Sequence, residues 1–259
     1  MVASIFTAIT AAVALFAQTA VAIPSPNVDA NGVYVKRAAS CTFPTPSKTV
    51  SLSSPKTVSA GSTFDGGLVR YDRGKGACTG QKEGGDKDAV FLLESGATLK
   101  NVVIGANQAE GVHCKGSCNV YNVWFEDVCE DAITIKQTSG TSNIVGGGAK
   151  GADDKVIQHN GGGTVNIDSY CVQDFGKLYR SCGNCSTQYK RTVNISNIIA
   201  KNGKLIAGVN SNYGDVATIK TSTNSYSSVK SICDTFKGNN KGDEPTKLTS
   251  NKSNSNCKF

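Results

Sequence analysis

The sequence predicts a single all-β domain wound as a parallel β-helix and stapled by disulfides, and three observations carry that reading. Helical periodicity is nearly absent, while short β-branched runs alternate with Gly, Asn and Ser. Those runs recur every twenty-odd residues in two interleaved series. All ten cysteines follow Arg37, an even number in the part of the chain that carries the strands.

The first series contains Leu99-Lys-Asn-Val-Val-Ile104 and Val120-Tyr-Asn-Val-Trp-Phe125, whose asparagines differ by 122 − 101 = 21 positions. Related runs follow at Thr164-Val-Asn-Ile-Asp168 and Thr192-Val-Asn-Ile-Ser196. In the second series, Val112, Ile133, Val156, Leu178 and Leu205 are the first apolar strand residues, at successive offsets of 21, 23, 22 and 27. A coil of this size cannot bury its apolar face alone, and stacking coils creates one continuous core. A propeller repeats at about 40 residues and an immunoglobulin-like sandwich has no repeat, so both fit less well.

The ends read as processing signals. Residues 1–22 form a secretory signal peptide: Ile5 to Ala17 are almost entirely apolar, too few to cross a bilayer, and Ala20-Val21-Ala22 supplies the small residues of a cleavage site. Residues 23–37 read as a propeptide ending in the dibasic pair Lys36-Arg37. Residues 38–259 are then the mature domain, and the chain is expected to be secreted and extracellular, a monomer without a membrane span. The half-cystines at 41, 78, 114, 118, 129, 171, 182, 185, 233 and 257 agree with export. Cys182-Gly-Asn-Cys185 reads as structural rather than as a redox or zinc pair, because only His113 and His159 are available as partner ligands. Cys257 straps the polar tail to the body. Asn194-Ile-Ser196, Asn251-Lys-Ser253 and Asn184-Cys-Ser186 are glycosylation sequons.

The formal charge is +7, and losing Asp29, Lys36 and Arg37 changes it by −1, leaving +6. A basic excess suits an anionic partner. No nucleic-acid motif or dense Arg/Lys patch with interleaved aromatics is present, so acidic polysaccharide is the extracellular candidate.

Stacking converts the offsets into geometry. Two residues before each first apolar residue lie Glu110, Asp131, Asp154, Gly176 and Gly203; one residue before lie Gly111, Ala132, Lys155, Lys177 and Lys204. Neighbouring coils are about 4.8 Å apart, so an acidic column should stand beside a basic one. Bare carboxylates about 5 Å apart repel by about 3 kcal/mol at an effective dielectric of 20. Calcium, taking six to eight oxygen ligands, would relieve that repulsion, with Glu130 and Asp127 nearby and Lys136 and Lys155 as alternative partners. Carboxylates beside lysines suit proton abstraction α to a sugar carboxylate, where cations stabilise the enolate-like charge. A lysine base beside Lys177, Arg180 and calcium should have a lowered pKa and favour alkaline conditions. Arg180, three positions after Lys177, has the opposite parity and joins the site only if the strand bends near Tyr179.

Phe64-Asp-Gly-Gly67, Asp88-Ala-Val-Phe91, Gly96-Ala-Thr-Leu-Lys-Asn-Val-Val-Ile-Gly105, Gln108-Ala-Glu-Gly-Val-His-Cys114, Asn122-Val-Trp-Phe-Glu-Asp-Val-Cys-Glu-Asp-Ala132 and Gly176-Lys-Leu-Tyr-Arg-Ser-Cys-Gly-Asn-Cys185 resemble the pectate lyases of polysaccharide lyase family 3. The resemblance spans about Phe43 to Cys257. It implies a right-handed parallel β-helix, calcium dependence and β-eliminative cleavage of polygalacturonate, the de-esterified pectin of plant cell walls. By position it makes Glu110, Asp127, Glu130 and Asp131 the calcium and acidic-cleft residues and Lys155 the base. Lys177 and Arg180 become the carboxylate-binding and charge-stabilising residues, and Lys136 a further cleft lysine. Phe125, often a second Trp in relatives, is the one departure. A polygalacturonase-type hydrolase would need acid and base carboxylates around a water, but the Asn-Thr-Asp and Arg-Ile-Lys motifs expected of that family are absent. A silent wall-polysaccharide-binding protein would not need the lysines.

Overall fold

The computed structural model describes residues 38–259, so the expected signal peptide and propeptide lie outside the described residues. No helix among the described residues is long and apolar enough to cross a membrane. The described chain is strand and turn with three short 3-10 segments.

The strands stack in parallel into three ladders. In the first, Phe91, Val112, Ile133, Ile157, Tyr179, Ala207 and Cys233 succeed one another from coil to coil. In the second the succession is Phe64, Leu99, Val120, Ile144, Ile167, Ile195 and Ile219. In the third it is Ile104, Phe125, Ala149, Val172, Ala200 and Tyr226. Nearly all of these side chains belong to one buried apolar core along the axis, so each coil closes only against its neighbours. The sequence shows two series where the structure has three ladders, because runs such as Val120–Phe125 bend in the middle. Asn101 and Asn122 take the left-handed conformation at that bend, with φ of 53° and 54°, which asparagine tolerates better than most residues. Asn122 Nδ2 donates to Asn101 Oδ1 at 2.9 Å, tying one bend to the next.

Five disulfides pair all ten cysteines: 41–171, 78–129, 114–118, 182–185 and 233–257. Cys182 and Cys185 are bonded to each other, and Cys233–Cys257 fastens the tail as expected. Cys41–Cys171 spans 130 positions, and in the chain-entropy account a loop of that size contributes about 5 kcal/mol by restricting the unfolded chain. Strand Thr246–Thr249 departs from the parallel pattern, running antiparallel along the strand Ser225–Lys237 of the last coil.

Candidate active site

The site lies along the corner where each coil enters the first ladder. There the outward–inward alternation breaks in the same way on successive coils. Two consecutive core residues, Ala132-Ile133, Val156-Ile157, Leu178-Tyr179 and Ile206-Ala207, follow one another. Gly111-Val112 completes the set; a Cβ on Gly111 would strike the Ala132 carbonyl and the Phe125 ring. The residues flanking each inward pair therefore both face away from the core. Glu110 and His113 demonstrate this, with His113 Nε2 3.1 Å from Glu110 Oε2 across three positions. Lys177 and Arg180 flank Leu178-Tyr179 in the same way, which resolves the parity conflict: the bend falls where the sequence allowed it.

The flanking residues stack as one column: Glu110, Asp131, Lys155, Lys177 and then Leu205. Separate acidic and basic columns were expected, and this register corrects that alignment. The count slips at a small core residue: Ala132 stands level with Val156, so Ile133 pairs with Ile157 and Asp131 with Lys155 rather than Asp154. Asp153 and Asp154 together oppose the single Gly176, a bulge between Phe175 and Lys177. Gly176 is required there, since a Cβ would meet the carbonyl oxygens of both aspartates. Asp154 thus falls one place before the column, Ala132 lies in the core, and Lys204 falls level with Gly176 because Leu205 stands opposite Lys177.

Lys155 Nζ sits 2.6 Å from Asp154 Oδ2, 3.2 Å from Glu130 Oε1 and 3.5 Å from Asp131 Oδ1. Asp154 also pairs with Lys177. The carboxylate side of the cluster is under-compensated: Asp131 is 1% exposed, and neither of its oxygens, nor Glu130 Oε2, has a hydrogen-bond partner. Carboxylate oxygens of Glu83, Glu130 and Asp131 lie within 4.8 Å of one another. Burial first, then Glu130 and Glu110, push the Asp131 carboxyl well above the usual range against the pull of Lys155. Burial and the same two glutamates raise Glu83 as well. Burial opposes the charge on Lys155, but Asp131, Asp154 and Glu130 outweigh it and hold the ammonium above the ordinary lysine range. The groups facing the Lys155 nitrogen are anions, so the expected lowering of its pKa does not come from Lys177 and Arg180 alone. Lowering it requires another cation to take up their charge.

Arg180 is built differently. It is 6% exposed, its guanidinium lies 4.0 Å over the Phe236 ring, and Nη1 donates to Ser181 O at 2.5 Å and Asn210 Oδ1 at 3.0 Å. Burial lowers its pKa to about 10, against more distant support from Asp215 and Glu244. Lys136 Nζ lies 2.6 Å from Asp86 Oδ1, which also meets His113 Nδ1 at 2.9 Å. Burial raises the Asp86 carboxyl, but these two bonds prevail and bring it down to about 2.

A family model described as pectate lyase matches residues 40–243. The chain belongs to the pectate lyase family. It is 61% identical over 221 residues to "Probable pectate lyase E" of Neosartorya fischeri and 58% identical over 221 residues to "Pectate lyase E" of Emericella nidulans, each match covering 84% of both chains. The catalytic domain of pectate lyase PelI from Erwinia chrysanthemi superposes with a TM-score of 0.62 at 34% identity, covering 82% of this chain and 94% of that one. PelI in complex with tetragalacturonic acid gives 0.63 at 33% identity, covering 82% of this chain and 67% of that one. The protein is thus a polysaccharide lyase, and no hydrolase or silent binding protein stands among these relatives.

In this pectate lyase Lys155 meets Glu130 and Asp131 directly, Lys177 joins them through Asp154, and Glu110 lies next to Asp131 in the column. Both Glu110 oxygens are already used, Oε1 by Gly84 N at 2.9 Å and Oε2 by His113, so Glu110 shapes the acidic field from its edge. Asp127 stands exposed against Gly151, outside the carboxylate group. Glu83 was not expected as a member, and Asp154, expected in the acidic column, stands beside Lys155 and Lys177 instead. Glu83 arrives on a loop that Cys78–Cys129 ties down beside Glu130, a link no local spacing reveals. Asp154 is visible in the sequence but sits at the bulge.

Proposed function

We propose that this pectate lyase is secreted and cleaves polygalacturonate by calcium-dependent β-elimination, acting extracellularly as a monomer. The observation that carries the reading is the buried carboxylate group with unpartnered oxygens in the same column as Lys155 and Lys177. Those oxygens fit a hard divalent cation, which ordinary protein donors do not replace here. Glu130, Asp131 and Glu83 would hold calcium, with Glu110 and Asp127 at the margin. Bound there, calcium supplies electrostatic stabilisation of a uronate carboxylate whose α-carbon is being deprotonated.

The chain's own residues do the rest. Lys177 and Arg180 bind the uronate carboxylate and stabilise the charge that develops on it, and Lys136 extends the cationic wall. Lys155 takes the proton from C5; the glycosidic bond at C4 breaks with its electron pair leaving on oxygen, and a C4=C5 double bond forms. Lys155 serves only when its carboxylate neighbours are satisfied by another cation, which couples the base to calcium. Arg180 as the base is the second reading, favoured by its lowered pKa and by the absence of an ion-pair partner among the described residues. Absorbance of unsaturated uronates, followed beside reducing ends on polygalacturonate, tests the proposal. Both should rise together with calcium and vanish in excess chelator; reducing ends without absorbance would mean hydrolysis, and full activity in chelator would remove calcium from the scheme.

A further inference from the structure

The cationic column stops at Lys177, because Leu205 and Ser231 succeed it on the next two coils. The lysines step sideways instead. Lys204 and Lys230 each precede those residues and lie in one row after Gly176, bracketed by the aligned positions Phe175–Gly203–Val229 and Lys177–Leu205–Ser231. On the other side of Phe175–Gly203–Val229 runs a second row, Asp174, Asn202 and Ser228, all in the left-handed conformation with φ of 52°, 56° and 55°. Between the rows lies an open groove of about 420 Å³. Its floor is low because Gly203 has no side chain; a Cβ there would strike the Phe175 ring. Lys204 and Lys230 are exposed, and neither forms an ion pair with the described residues. Asp174 accepts from Asn202 Nδ2 at 3.0 Å.

We infer that this groove is a binding site for uronate residues of the same polysaccharide, beyond the unit being cleaved. The inference rests on the lyase reading above. Coil spacing of about 4.8 Å carries Lys204 and Lys230 outward from Lys177 along the stacking axis, so a polymer lying on Lys155 and Lys177 continues into the groove. The two rows suit a sugar acid in particular. Ammonium groups on one rim meet carboxylates, while carboxylate, amide and hydroxyl oxygens on the other rim accept from ring hydroxyls. A polyanion without hydroxyl donors would meet Asp174 and Asp153 unfavourably, so the groove selects polyuronate over a bare polyphosphate.

The experiment compares the wild-type enzyme, Lys204→Ala/Lys230→Ala and a control pair, Lys220→Ala/Lys252→Ala, which removes the same charge from exposed positions elsewhere. Kinetics are run on the shortest oligogalacturonate cleaved and on polygalacturonate. Two exposed charge contacts should shift KM for the polymer by about three- to tenfold, with kcat unchanged and the short substrate unaffected. Retardation in gels containing polygalacturonate measures binding without turnover, so the groove is still decided if the wild type yields no unsaturated product and the lyase reading fails instead. The groove assignment is overturned if the double variant matches wild type on the polymer in both measurements, if the short substrate suffers equally, or if the control pair loses as much.

Discussion

Replacing Asp131 with Asn should stabilise the calcium-free protein while weakening its response to calcium. Glu130 and Glu83 present oxygens within 4.8 Å of the Asp131 carboxylate, and at an effective dielectric of 20 each such repulsion is about 3.5 kcal/mol. Lys155 at 3.5 Å returns about 5 kcal/mol on the same scale. The difference is about 2 kcal/mol against the charge, trimmed to about 1 kcal/mol because Glu83 is exposed and screened. Burial without hydrogen bonds adds a further cost, so the Asn variant should gain about 1–2 kcal/mol in chelator, about 2–8 °C in Tm for a domain of this size. Lys155 keeps Glu130 and Asp154, so its charge is not stranded. The pH dependence should change too. A carboxyl raised in the fold contributes stability below its unfolded pKa of about 3.9, and loses it as pH rises through the folded value; the variant should lack that loss. Calcium at a hundred times its Kd would stabilise the wild type by about 2.7 kcal/mol, and the variant should forfeit most of it. Thermal melts with and without calcium read both effects. A variant that melts lower in chelator, or keeps the full calcium shift, refutes the account of Asp131 as an uncompensated ligand.

Lys155→Ala should lower kcat at least about 100-fold with little change in KM, and Lys155→Arg should not rescue it because guanidinium stays protonated; near-normal turnover with a dead Arg180→Ala would move the base to Arg180. Phe236→Leu should cost about 1–2 kcal/mol of Arg180 positioning, seen as a five- to thirtyfold fall in kcat/KM that Phe236→Tyr largely restores. His159 is buried, accepts from Tyr179 or donates to it at 2.8 Å, and burial brings its pKa down to about 3. Its lowered pKa means stability present above about 6.5 and lost as pH falls toward 3, about 2 kcal/mol at pH 5; urea melts at pH 7 and pH 5 should show that difference shrinking in His159→Gln.

The coil architecture was legible in the sequence because stacked coils repeat their apolar residues. The alignment of Asn101 with Asn122 and of Thr164–Asp168 with Thr192–Ser196 is reproduced residue for residue. The site was legible in its members more than in its register. Counting from the first large apolar residue skips small ones that also fill the core: Ala132 stands level with Val156, so Ile133 pairs with Ile157 and the count slips by one. The clue was present as Ala132 and Gly111, the small residues just before Ile133 and Val112, but neither residue type marks a core position by itself. Arg180, admitted only if the strand bent near Tyr179, does flank the inward pair Leu178-Tyr179, because period-two reasoning fails wherever a strand turns. Glu83 was out of reach, since a disulfide and loop packing bring it in.

The antiparallel strand Thr246–Thr249 has a consequence for solubility. A stack of parallel coils ends in a row of unpaired backbone donors and acceptors, an edge on which a second molecule could dock its own strands and propagate a fibre. Here the last coil's Thr235, Phe236 and Lys237 are already paired with Thr249, Lys247 and Thr246 in the opposite direction. A neighbouring copy offering a parallel coil finds that stretch occupied, and Lys247, held to Asp234 at 2.6 Å, adds a charge to the blocked edge. The tail, polar and unremarkable in sequence, thus terminates the helix chemically, and its anchoring disulfide Cys233–Cys257 keeps the terminator in place.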